Sequence, residues 1–154
     1  SKLDNGEYAA IILASAGLIR LEFQQRITAY LSTEQSLPAI GQGAIGIECR
    51  RNDPRVENLL TPLRHPQTTV CVRAERAMNK RLNGGCQIPV AGFAELEEGA
   101  LRMRGLIGFP DGSEVYTCEL RGCVVDPEDL GVLVAENLLA QGGGKVLASL
   151  GIHA

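Results

Sequence analysis

The sequence predicts an α+β fold, with a C-terminal domain of three antiparallel strands covered by helices and an incomplete α/β segment before it. Three observations lead there. Residues 88–123 carry three runs of period-two apolar alternation, separated by the turn signals Glu98-Gly99 and Pro110-Asp111-Gly112-Ser113, and alternation of this kind marks half-buried antiparallel strands. That stretch is bracketed by two apolar stripes at helical spacing, Cys71, Ala74, Met78 and Leu82 before it and Leu130, Leu133, Val134 and Leu138 after it. Such stripes can cover one face of a sheet. Upstream, Tyr8 to Ala14 is a continuous apolar run, the pattern of a strand buried on both faces, which needs neighbours on either side. No second run of that type follows before Leu37, so its sheet partners are expected upstream of Ser1 or in another chain.

Taken in order, the strand at 8–14 leads into a turn and short helices, from Ala16 to Leu21 and around Ile27, Tyr30 and Leu31. Leu37-Pro38-Ala39-Ile40 then enters Gly41-Gln42-Gly43-Ala44-Ile45-Gly46, which formally matches G-x-G-x-x-G. A dinucleotide fingerprint needs a strand before the glycines and a helix after them. Here Pro38 precedes closely, and residues 44–49 read as a strand, so the glycines are expected to serve a crossing where backbone passes close to backbone or ligand. Asp53 as N-cap with Pro54 at the first helical position starts a short helix ending near Pro62, and 62–66 reads as a linker. A longer helix is predicted from Thr69 to Leu82, with Arg73, Arg76 and Lys80 on a second stripe. Asn83-Gly84-Gly85 stops it, Gly84 taking the left-handed C-cap and presenting Cys86 on a loop. Strands follow at 88–96, 101–109 and 114–123, where Cys118 and Cys123 fall on opposite faces. Asp126-Pro127 opens the covering helix, Gly142-Gly143-Gly144-Lys145 lacks the spacing of a P-loop and reads as a helix break, and 145–150 forms a closing helix. Residues 66–154 are long enough to fold as a domain.

With 154 residues, 45% of them hydrophobic, the chain can fill a core. Its apolar run at 9–14 is broken at Ser15 and Gly17, far short of the ~20 residues that cross a bilayer. Its opening residues lack a basic and then apolar leader. A cytoplasmic location and no membrane contact are expected. A net charge of −3 argues against a general nucleic-acid binder. Between Arg50 and Arg81, however, eight basic residues face three acidic ones, and twelve of the fifteen cations are arginine, whose planar fork suits carboxylates and phosphates. Two readings stand, a site for a small polyanion and a solvated face of i,i+4 ion pairs. Five cysteines without C-x-x-C and only two histidines predict no metal site. Cys86 departs from the other thiols, because it sits in Gly-Gly-Cys-Gln just after Lys80 and Arg81, where positive charge favours the thiolate. No histidine lies near it in sequence, so a reactive thiol and an ordinary loop cysteine are both open.

The motif Asn83-Gly84-Gly85-Cys86-Gln87-Ile88-Pro89-Val90, with Ala74-Glu75-Arg76-Ala77-Met78 and the stretch Leu37 to Glu48 before it, resembles the porphobilinogen deaminase (hydroxymethylbilane synthase) family of tetrapyrrole and heme biosynthesis. So do Lys2 to Tyr8 and Ile11 to Leu21. The resemblance covers essentially the whole chain. It implies the C-terminal half of a transferase: the end of domain two at 1–37, a crossover strand and helix of domain one at 38–65, and domain three, which carries the cofactor, at 66–154. Two upstream domains would supply the missing strands, in a full-length protein expected to be a monomer.

By the same resemblance Cys86 holds a dipyrromethane cofactor through a thioether. Porphobilinogen loses ammonia to give an electrophilic azafulvene, which the primer and then the growing polypyrrole chain attack. Arg20 is similar to a family arginine that binds the acetate and propionate groups of cofactor and substrate, with Ala14 and Gly17 adding backbone contacts. Gln42 and Gly43 resemble residues lining the same cleft. The family's catalytic aspartate is expected upstream, and no acid here replaces it, so the chain alone is expected to be inactive. Two other readings compete with the transferase. One is a non-catalytic module that docks an anionic ligand or partner on the basic helix around Arg73, Arg76 and Lys80. The other is a thiol redox protein using Cys86, weakened by the lack of a second cysteine in C-x-x-C spacing.

Overall fold

The alternating runs form a single antiparallel sheet, β1 (Val90–Glu97), β2 (Ala100–Gly108) and β3 (Val115–Gly122), in the order β1-β2-β3. The helices are α1 (Ser15–Arg20), α2 (Pro54–Leu60), α3 (Pro66–Arg81), α4 (Pro127–Leu138) and α5 (Gly144–Ser149). This computed structural model describes residues 2–85 and 87–152. It divides into two units, 1–35 and 36–154. The second contains the three-stranded antiparallel sheet and covering helices that the alternation and the two stripes predict, together with residues 36–65.

Local chemistry explains its turns. Glu98 and Gly99 both take positive φ, 49° and 84°, giving the two-residue hairpin whose twist matches that of the strands. The second connection closes with Phe109 N–H donating to Glu114 O (2.9 Å), while Asp111 Oδ1 accepts from Ser113 N–H (3.0 Å). The inner face of the sheet is lined by Ala94, Leu101, Met103 and Ile107 and meets Ala74, Met78 and Leu82 of α3 and Leu130, Val134, Ala135 and Leu138 of α4, all buried. Burying each large apolar side chain stabilises by about 1.5–3 kcal/mol. Two glycines make room for the largest of them. Gly92 and Gly105 are paired across β1 and β2, and a Cβ on either would lie 2.7 Å from the Met78 side chain.

The helix boundaries correct several expectations. α3 starts at Pro66, three residues before the expected Thr69, because proline suits the first helical position and His65 caps the end through its Nδ1, which accepts from Thr68 N–H (3.3 Å). At the other end Asn83, not Gly84, takes the left-handed conformation (φ 53°). Gly84 N–H donates to Asn79 O (2.7 Å) and Asn83 N–H to Lys80 O (3.1 Å), the paired bonds of a Schellman ending. Gly84 is needed for space, since a Cβ there would sit 2.0 Å from Asn79 Oδ1. On α4, Leu133 is 54% exposed, and Gly131 and Ala135 fill the buried stripe instead. Cys123 lies past the end of β3.

The first unit holds α1, a 3₁₀ turn at Gln24–Arg26 and no strand among the described residues. Tyr8 to Ala14 stays irregular, with Ile12 80% exposed, and its residues 8–13 line one side of a cleft of about 880 Å³ with Leu18, Phe23 and Ile27. Residues 44–49 and the segment around Ile27, Tyr30 and Leu31 are likewise without regular structure. The physical reason is common to the strand-like runs: a strand without a partner leaves its N–H and C=O groups unpaired, so composition alone does not form it. No described helix is long and apolar enough to cross a membrane.

Candidate functional site

In the first unit, Ala14 is the N-cap of α1, Gly17 N–H donates to its carbonyl (3.1 Å), and Arg20 lies in the last turn. These three residues are therefore held together by one short helix. Arg20 is exposed, and among the described residues no carboxylate pairs with it, whereas the unit's other arginine, Arg26, pairs with Asp4. A guanidinium in this position is available to an anion.

Gln42 and Gly43 lie in the second unit, on a turn closed by Gln42 N–H to Ala39 O and Ala44 N–H to Gly41 O, both 3.0 Å. Gly41 takes φ 69°, which glycine adopts without penalty. The segment is hooked onto the edge of β1, where Gly92 N–H donates to Pro38 O (3.1 Å). Beside it Glu75 of α3, only 5% exposed, accepts from Gly41 N–H at 2.7 Å and from Ala94 N–H at 2.9 Å. Burial holds its carboxyl above the ordinary range, opposed by these two hydrogen bonds. Gly41, Gly43, Cys71, Glu75, Phe93 and Glu95 line part of an open pocket of about 300 Å³. Sequence reasoning passed over Glu75, although an acid adjoining the apolar stripe of a basic helix was a signal for it.

Cys86 lies outside the described residues. Its neighbours Gly85 and Gln87 are exposed, and Ile88 N–H donates to Gly85 O (3.1 Å). One of the two cations expected to favour its thiolate is already committed, since Arg81 pairs with Glu136 at 2.6 Å. The thiols of Cys71 and Cys118 are pushed up by burial, Cys71 also by Glu75, which suits inert packing. Among the described residues no cluster of His, Cys, Asp and Glu could hold a metal.

Five arginines of the second unit, Arg73, Arg81, Arg102, Arg104 and Arg121, are engaged with carboxylates of the domain itself. Arg73 forms a two-pronged pair with Glu128 (2.5 and 2.9 Å), joining α3 to α4 as Arg81 does. On the outer face of the sheet Arg102 pairs with Glu95, Glu97 and Glu119, Arg104 with Glu95 and Arg121 with Glu97, at 2.7–3.2 Å. Glu119 and Glu97 raise the affinity of Arg102 for its proton. Arg104 also lies 5.6 Å from the Phe93 ring centre. Alternating charges of equal number leave no anion-binding surplus on this face. Of the three cations on the basic stripe of α3, Arg73 is thereby taken up by the fold.

Two family models match the chain. One, described as the dipyromethane cofactor binding domain of porphobilinogen deaminase, matches residues 1–58. The other, the C-terminal domain of porphobilinogen deaminase, matches residues 69–140 and spans most of α3, the whole sheet and α4. Ala14, Gly17, Arg20, Gln42 and Gly43 fall within the first match and Cys86 within the second.

Proposed function

Because this chain belongs to the porphobilinogen deaminase family, we propose that it is the C-terminal part of an enzyme joining porphobilinogen units head to tail into hydroxymethylbilane, with release of ammonia. The dipyrromethane cofactor of the family supplies the primer on which the pyrroles are assembled. The observation that carries the reading is the order of the two matches along one chain, with the Gly-Gly-Cys loop following directly on α3.

In this reading Cys86 anchors the cofactor by a thioether. Arg20 binds acetate and propionate carboxylates, helped by the backbone at Ala14 and Gly17, and Gln42 and Gly43 line the substrate cleft. The donor set fits such a group: each pyrrole brings two carboxylates, and Arg20 is an exposed guanidinium with no carboxylate partner among the described residues. Residues 1–37 close domain two, 38–65 cross back to domain one and 66–154 form domain three. The partners are porphobilinogen, the growing polypyrrole chain and the N-terminal domains, and the whole protein acts as a cytoplasmic monomer. Taken alone, the chain does not turn over porphobilinogen.

Intact mass under denaturing conditions tests the anchor. In the enzyme containing this chain, the peptide bearing Cys86 is expected to carry two linked pyrrole units and to gain further units after brief exposure to porphobilinogen, and Cys86→Ser is expected to carry none. A bare Cys86 in a fully active enzyme, or pyrroles on another residue, would overturn the assignment.

A further inference from the structure

Glu75 does a task the proposed chemistry leaves unassigned. β1 is an edge strand, and its outward N–H groups at Gly92 and Ala94 need acceptors. Pro38 O takes the first (3.1 Å) and Glu75 Oε1 the second (2.9 Å). The other oxygen of the same carboxylate takes Gly41 N–H (2.7 Å). One buried side chain thus ties three elements of the second unit together: the helix leading to the Cys86 loop, the edge of the sheet and the turn bearing Gln42 and Gly43. Ile40 packs into the same junction, since a Cβ on Gly92 would lie 2.8 Å from its Cδ1.

We propose that Glu75 is a positioning residue that fixes the Gly41–Gly43 turn against α3 and the edge of β1, and so sets where the substrate-lining backbone stands. The inference rests on the functional reading of Gln42, Gly43 and Cys86 given above. Only glutamate meets the geometry. Gln offers one oxygen and turns an NH2 toward the other N–H, and Asp is one methylene too short to reach both.

The test uses the whole enzyme in its cofactor-bearing form and compares Glu75→Gln with Gly131→Ala, which strikes the α3–α4 packing 2.1 Å from Ala74 O and has no part in the turn. Both variants are expected to lower the melting temperature. Only E75Q is expected to raise KM for porphobilinogen, by about tenfold, the size of one lost charge-assisted hydrogen bond, with the pyrrole content at Cys86 unchanged. Amide exchange at Gly41, read by NMR on the 154-residue chain, is expected to quicken in E75Q while amides in the middle of α3 stay protected. Unchanged KM in E75Q, or equal rises in both variants, would overturn the proposal, as would unchanged exchange at Gly41. Failure of the functional reading is seen separately, as absence of pyrrole on wild-type Cys86.

Discussion

A carboxylate taken out of water loses solvation that hydrogen bonds restore only in part, and at Glu75 the balance leaves its carboxyl above the ordinary value of 4.5. The folded chain therefore binds this proton more readily than the unfolded chain. The stability so contributed is fully present below pH 4.5, the ordinary value, and is lost as the pH rises through the folded-state value. The titratable groups that line the same pocket as Glu75 are His65, Cys71 and Glu95. Glu75→Gln removes the titration and imposes a constant loss from one mismatched N–H. Its stability deficit relative to wild type is thus expected to be largest near pH 4.5 and to narrow toward pH 7. Urea titrations of both proteins at the two pH values read this directly, and a gap that widens with pH would show that the hydrogen bonds outweigh burial.

At the scale of elements, the end of α3 shows what sequence rules capture and what they miss. A stop at Asn83-Gly84-Gly85 was legible because glycine tolerates left-handed backbone, but the rule chose the wrong neighbour. Asn83 takes that conformation, and Gly84 is required by contact with Asn79, a tertiary fact invisible to local propensity. The covering stripe of α4 erred in the same way at Leu133, where close approach of α3 selects Gly131. The hairpins were legible because their turn residues set the backbone by themselves. The run at 8–14 was not, because strand formation depends on a partner rather than on composition. Asn83→Gly is therefore expected to leave stability within about 0.5 kcal/mol of wild type, since both residues enter the left-handed region. Asn83→Val is expected to cost about 1–2 kcal/mol, measured by thermal unfolding, and equal effects would argue against the assigned cap.

For the whole molecule, the question is which charges remain for chemistry once the fold has taken its share. Among the described residues Arg26, Arg73, Arg81, Arg102, Arg104 and Arg121 each pair with a carboxylate, while Arg20 does not, nor do Arg50, Arg51, Arg55, Arg64 and Arg76. The proposed anchor, carboxylate binder and cleft residues were named from the family resemblance, because the roles proposed for them would come from a ligand and not from packing. The aspartates run the opposite way to Arg20. Asp4 pairs with Arg26, Asp53 caps α2 through Val56 N–H (3.2 Å), Asp111 is held below its ordinary range by Ser113 N–H, and Asp126 and Asp129 lie at the start of α4. Asp4, Asp53 and Asp111 thus have structural uses, and none of the five stands beside Arg20 on α1. The purified 154-residue chain is accordingly expected to give no hydroxymethylbilane from porphobilinogen, while retaining the cooperative unfolding of its α+β domain. Restored turnover on mixing with the N-terminal domains, abolished by Arg20→Leu, would place the missing acid in those domains and the carboxylate contact in this chain. Turnover by the chain alone would mean that one of these five aspartates, or an acid not yet assigned, leaves its structural role during catalysis.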